Sequence, residues 1–199
     1  MNITQSITNF LVLMNPIALF LYLLPLKQEV GLRKFINIVA RATLISYVVY
    51  AVFAIFGEKL FTLLQIDFES FRIFGGIVLT TVSLLFIIEG KASLVKTKGA
   101  VNKIAAEIAL PFMVGAGTIA ISIIIGRQQG AMKASFIIFI VMLITFLSIW
   151  GLALLRHNLK PKLKVIFDQN ADILLRLNGF LIGAFGVNLI VAGINNLFF

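Results

Sequence analysis

Six apolar runs, each close to the length that crosses a bilayer, limit what this chain can fold into. They lie near 6–26, 35–56, 71–89, 106–126, 134–155 and 174–197 and fill about two thirds of the 199 residues. Runs of about 20 predominantly apolar residues read as transmembrane helices. With 60% hydrophobic residues and a mean hydropathy of +1.07, a soluble globular domain is excluded. No loop is long enough for a separate soluble domain. The N-terminus has no basic stretch and no small-residue cleavage site, so the first span is expected to stay in the mature protein.

Two of the runs are interrupted, and the interruptions recur. Asn15-Pro16-Ile17-Ala18 breaks the first, and Gly117-Thr118-Ile119-Ala120 breaks the fourth, 102 residues later. Arg72-Ile73-Phe74-Gly75 opens the third run and Arg176-Leu177-Asn178-Gly179 opens the sixth, 104 residues later. Nearly equal offsets point to an internal duplication. An odd number of spans per copy sends the second copy into the membrane from the opposite face. The fold expected is therefore all-α and integral to the membrane: six transmembrane helices arranged as two inverted three-helix repeats, with broken first and fourth helices. All of 1–199 is one transmembrane domain, with repeat one at 1–90, a polar basic linker at 91–102 and repeat two at 103–199.

Charge sets the orientation. The net charge is +9, but the cations sit in short loops beside spans, so nucleic acid is not expected as a partner. The first, third and fifth connections and their edges hold Lys27, Arg33, Lys34, Arg41, Lys91, Lys96, Lys98, Lys103, Arg156, Lys160, Lys162, Lys164 and Arg176. The other side has only Lys59, Arg72, Arg127 and Lys133. Thirteen cations against four place the odd connections in the cytoplasm and both termini outside.

The candidate substrate-binding residues are those at the breaks: Asn15, Pro16, Gly115, Ala116, Gly117 and Thr118. Pro16 lacks an amide hydrogen and clashes one turn back, so it frees carbonyls near Val12 and Leu13. Polar backbone at membrane depth must be buried in protein or line a wet cavity. Gly115 and Gly117 allow close backbone approach, and Thr118 stands where a new half-helix begins, with its free N–H groups and positive dipole end. The competing readings are a simple proline kink and small-residue helix packing. Gly75, Gly76 and Gly179 are read as packing against the broken spans or lining the cavity, and Asn178 as reaching either the cavity or a neighbouring helix. No acid lies clearly at mid-membrane, which disfavours proton coupling through a central carboxylate. Sodium and uncoupled movement stay open. With no cysteine and no metal-ligand cluster, Ser/His/Asp set or phosphate loop, neither enzyme chemistry nor a cofactor or metal site is expected.

At these motifs the chain resembles the MarC family of six-span inner-membrane proteins, which includes SnatA-type small neutral amino acid transporters. The resemblance rests on Asn15-Pro16, on Arg72 through Gly76, on Ala109-Leu110-Pro111 through Ile119, and on Arg176 through Leu181 with Gly186 and Gly193. Ala116 stands where the family usually has proline, and Glu107 where relatives often do, which predicts a less sharp second break. The resemblance implies secondary transport of glycine, alanine or similar amino acids across the cytoplasmic (inner) membrane. The alternatives are an exporter of another small solute and a membrane scaffold that transports nothing. The sequence fixes neither oligomeric state nor coupling ion.

Overall fold

In the computed structural model, which describes residues 2–57, 59–90 and 113–198, the chain is helical throughout its regular structure. Lys91, Lys96, Lys98, Lys103, the linker 91–102, Glu107 and Ala109 through Pro111 lie outside the described residues. So do residues 106–112 of the expected fourth span.

The first span is two helices. α1 (Ile3–Met14) starts at Asn2, whose side chain accepts from the Gln5 amide, with Gln5 answering in a capping box. It stops at Asn15, and α2 (Pro16–Val30) follows at once. A single-residue turn at Gly31 (φ 77°, ψ 167°) leads to α3 (Leu32–Phe56). The short α4 (Lys59–Leu64) and then α5 (Phe68–Glu89) complete the first half. In the second half, α6 (Ala116–Gln129) turns at Gly130 (φ 79°, ψ 156°) into α7 (Ala131–Asn158), and α8 (Pro161–Phe198) ends the chain. Gly31 and Gly130 share the same positive-φ geometry, which a residue with a Cβ rarely adopts.

Among the described residues, five segments are long and apolar enough to cross a membrane: Ile3–Val30, Leu32–Phe56, Phe68–Glu89, Ala131–Asn158 and Pro161–Phe198. They coincide with the first, second, third, fifth and sixth expected spans. Two features depart from the expected layout. The helix α4 falls in a stretch read as a connection. And α8 begins at Pro161, well before residue 174, so its 38 residues run about 57 Å at 1.5 Å per residue. That exceeds a hydrocarbon core of about 30 Å, so one end of α8 must project beyond it. The projecting turns carry Lys162, Lys164, Asp168 and Asp172, charges that hid the helix from a search for apolar runs.

The broken span is the best enclosed. Half of its most apolar window is buried, against 22% for α5 and for α8. α1, α2 and α6 lie between two packed pairs, α3 with α7 and α5 with α8. Phe10, Phe20, Phe35, Tyr50, Ile137, Ile138 and Leu175 are fully buried among them. Outward faces stay apolar, as at Leu44 and Val48 of α3 and Phe136 and Leu147 of α7. This is the surface expected of helices solvated by lipid.

The pair α5–α8 is antiparallel and has the most extensive contact among the described helices. Its closeness comes from missing side chains. A Cβ on Gly76 would lie 2.5 Å from the Gly186 carbonyl oxygen, and one on Gly179 would lie 3.1 Å from the Ser83 carbonyl oxygen. Ser83 then donates its hydroxyl to the Gly179 carbonyl at 2.7 Å. These glycines do what small residues do in membrane interfaces, letting backbones meet.

Candidate functional site

At the first break one residue ends a helix and starts the next. Asn15 has φ 42° and ψ 70°, the left-handed region that asparagine tolerates better than most residues. Its N–H closes α1 on the Leu11 carbonyl (2.9 Å), and its carbonyl opens α2 by accepting from the Leu19 N–H (3.0 Å). Its side-chain oxygen accepts from the Ala18 N–H at 3.2 Å, and its NH2 donates to Oδ1 of Asn178 on α8 at 2.7 Å. Pro16 takes the first helical position, where its missing N–H costs nothing. Among the described residues, no backbone N–H reaches the Val12, Leu13 or Met14 carbonyls across the break. They form the open, partially negative end of α1.

The second break is built differently. Gly115 is extended (φ −101°, ψ 164°) and precedes α6. The Thr118 hydroxyl accepts from the Gly115 N–H at 3.0 Å and donates to the Gly115 carbonyl at 2.8 Å. Tyr50 of α3 donates its hydroxyl to the Met113 carbonyl, and its ring meets Phe10 edge-on at 5.0 Å. One side chain therefore braces both the second break and α1. No acceptor among the described residues takes the Ala116 or Gly117 N–H, so α6 presents open amides at its positive end. Ala116 packs on α5 so tightly that a Cβ on Gly75 would fall 1.8 Å from its own Cβ.

The two breaks meet at one cavity of about 580 Å³. Val12 through Asn15 line it from α1, and Val114, Gly115 and Ala116 from the second break. Phe71, Phe74, Val78, Leu79, Val82 and Phe86 of α5 form an apolar wall, with Ile182 and Phe185 of α8 and Tyr22 of α2. Among the described residues, no charged side chain lines it.

Of the residues singled out in the sequence, Asn15, Gly75, Gly115 and Ala116 line the cavity. Pro16, Gly76, Gly117, Thr118, Asn178 and Gly179 are outside that lining. Gly117 faces side chains: a Cβ there would sit 3.0 Å from Leu189 and 3.5 Å from Leu13. Thr118 spends its hydroxyl on the break itself, and Asn178 spends its amide oxygen on Asn15. Tyr50 and the phenylalanine wall of α5 were not read from the sequence. Tyr50 had a signal, being a phenol within a membrane span, where a buried hydroxyl needs a partner.

A profile described as "MarC family integral membrane protein" matches residues 1–198. The chain is 30% identical over 151 residues to "UPF0056 membrane protein YhcE" of Escherichia coli (strain K12), covering 71% of this chain and 68% of that one. It is 23% identical over 204 residues to a "UPF0056 membrane protein" of Aquifex aeolicus (strain VF5), covering 97% of this chain and 92% of that one. No solved structure matches it. With multiple membrane-length helices and a match that runs nearly end to end, the chain belongs to the MarC family of integral membrane proteins.

Proposed function

We propose that this protein is a secondary transporter whose substrate, a small neutral amino acid, binds in the cavity between the two breaks. One observation carries the reading. A single cavity joins a helix end with open carbonyls to a helix end with open amides, and no charged side chain among the described residues lines it. Open amides at a positive helix end suit a carboxylate, and open carbonyls at a negative end suit an ammonium. A zwitterion satisfies both; a net ion leaves one end unmatched. At about 580 Å³ the cavity falls in the usual range for small-molecule sites, and its phenyl and aliphatic walls suit an apolar side chain.

Three paired features support the inverted repeat that alternating access would use. Gly31 and Gly130 make the same one-residue turn. Asn15 touches Asn178 of α8, while Ala116 touches Gly75 of α5. Arg72 pairs with Glu69, which also accepts from Asn196 of α8. Correspondingly, Arg176 pairs with Asp172 and donates to the Ile87 and Ile88 carbonyls of α5.

The same reading places the chain in the cytoplasmic membrane with both termini outside, assigns it no enzymatic step, and leaves the coupling ion open between sodium and protons. Uptake of labelled glycine and alanine into proteoliposomes, with imposed sodium or proton gradients, tests it. Saturable, protein-dependent uptake is the expected result. Uptake of neither, by protein that stays folded, would favour a different solute or a scaffold role. Single cysteines test the orientation: Lys162→Cys should be labelled only from the cytoplasm, and Gln128→Cys from outside.

A further inference from the structure

The end of the bundle where α2 and α7 finish and α8 begins holds a second group of polar side chains, away from the cavity. Lys27 of α2 is 5% exposed, and its Nζ is buried with no hydrogen-bond partner. Arg156 of α7 and Lys164 of α8 lie within electrostatic reach of that ammonium, and so does the carboxylate of Asp168. Asp168 is already engaged. Arg156 grips it through Nε at 2.8 Å and Nη2 at 2.6 Å, and Gln28 donates to it at 3.3 Å. Three cations thus surround one carboxylate, and the most buried of them is unpaired. An open concavity of about 600 Å³ runs along α8 there, lined by Val165, Asp168, Gln169 and Asp172, its two carboxylates already held by Arg156 and Arg176.

A buried ammonium without a partner is costly, and the usual remedy is a counter-ion. Lysine is a flexible point-charge donor suited to phosphate. Basic pockets between spans at the membrane edge have the composition that takes lipid phosphate groups. We infer that Lys27, with Arg156 and Lys164, forms a binding site for a phosphate-bearing anion at this end of the bundle. Lys27 supplies the free donor and Lys164 the outer charge. Arg156 is held in place by Asp168. The anion is either the headgroup of an anionic phospholipid or a phosphate from the aqueous side.

Full-length purified protein in detergent serves as the test, with thermal midpoint and native mass spectrometry as readouts. Phosphatidylglycerol, phosphatidylcholine and inorganic phosphate are the probes. Phosphatidylglycerol should raise the midpoint and remain bound in the gas phase, while phosphatidylcholine should do neither. Inorganic phosphate matching that shift would make the ligand aqueous; phosphatidylglycerol acting alone would make it lipid. Either result supports the site.

Lys27→Met should be at least as stable as the parent without anion, because it removes an unpaired buried charge. It should also bind phosphatidylglycerol, or phosphate, about tenfold or more weakly, the loss typical of one hydrogen bond to a charged group. Lys164→Gln, on the partly open side, should weaken binding with little effect on the anion-free midpoint, which keeps the test decisive if Lys27→Met misfolds. The site is refuted if neither anion shifts the parent's midpoint, or if both variants keep the parent's anion response.

Discussion

The two breaks reach similar ends by opposite means. At the first, one side chain does everything: Asn15 adopts a left-handed backbone, caps both helices and bonds across to Asn178. At the second, the decisive feature is missing bulk. Gly75 lets Ala116 onto α5, and a local Thr118 hydroxyl knits the turn. The first break should therefore be sensitive to loss of hydrogen bonds, and the second to gain of volume. A substitution conservative at one is disruptive at the other.

The largest effect should come from Gly75→Ala. The new Cβ would lie 1.8 Å from the Ala116 Cβ and 3.1 Å from its Cα, so α5 or α6 must move. Overpacking costs about 1–3 kcal/mol and sometimes more, and this case should sit at or above the top of that range. The measurement is the thermal midpoint of the purified protein. A midpoint equal to the parent's would mean that the α5–α6 contact does not limit packing. Gly117→Ala is the contrast. Its one tight contact is the end of the Leu189 side chain at 3.0 Å, which can swing aside, so the loss should be much smaller.

Asn15→Ala should come next. It puts alanine in a left-handed conformation, at about 1–2 kcal/mol, loses a helix cap worth about 1 kcal/mol, and leaves Asn178 unpaired. Asn15→Gly separates these parts, because glycine accepts the backbone angles but makes neither side-chain bond. Its midpoint should fall between the parent and Asn15→Ala. If the two variants melt together, the left-handed turn contributes nothing and the hydrogen bonds carry the whole effect.

Thr118→Val keeps shape and removes the hydroxyl that serves Gly115 twice. The expected loss is about 1–3 kcal/mol, the cost of leaving a buried polar group unsatisfied. Substrate affinity should then fall through the altered turn rather than through a lost direct contact. Smallest of all should be Leu147→Ala, on the lipid-facing side of α7 and 47% exposed. A large destabilisation there would show that this face is covered by a partner.

The first break was legible in the sequence because Asn15-Pro16 acts locally, on the backbone of its own turn. For the fourth span the sequence put the interruption at Gly117 to Ala120, but these lie inside α6, which starts at Ala116 after an extended Gly115. Of the glycines expected to pack against the broken spans or line the cavity, Gly75 does both, whereas Gly76 and Gly179 let α5 and α8 meet, because a small residue signals close approach but not which helix approaches. The cavity wall was not legible. Phe71, Phe74 and Val78 look like any lipid-facing residues until the fold places them opposite the breaks. Nor could sequence separate Gly115, which lines the cavity, from Gly117, which faces Leu189, because two residues of helix rotation decide it. Lys27 read as a loop cation because it ends an apolar run, and only the arrival of α7 and α8 buries it.

The central claim is that the cavity shared by the two breaks holds the substrate, and the absence of native cysteine makes it directly testable. Leu79→Cys places a lone thiol on the α5 wall of the cavity, and Leu147→Cys places one on the lipid-facing side of α7. The measurement is the rate of thiol modification of each variant in proteoliposomes, with and without saturating alanine. Alanine should slow modification at Leu79→Cys several-fold and leave Leu147→Cys unchanged. Equal rates at Leu79→Cys with and without alanine, in protein that still takes alanine up, would put the substrate elsewhere.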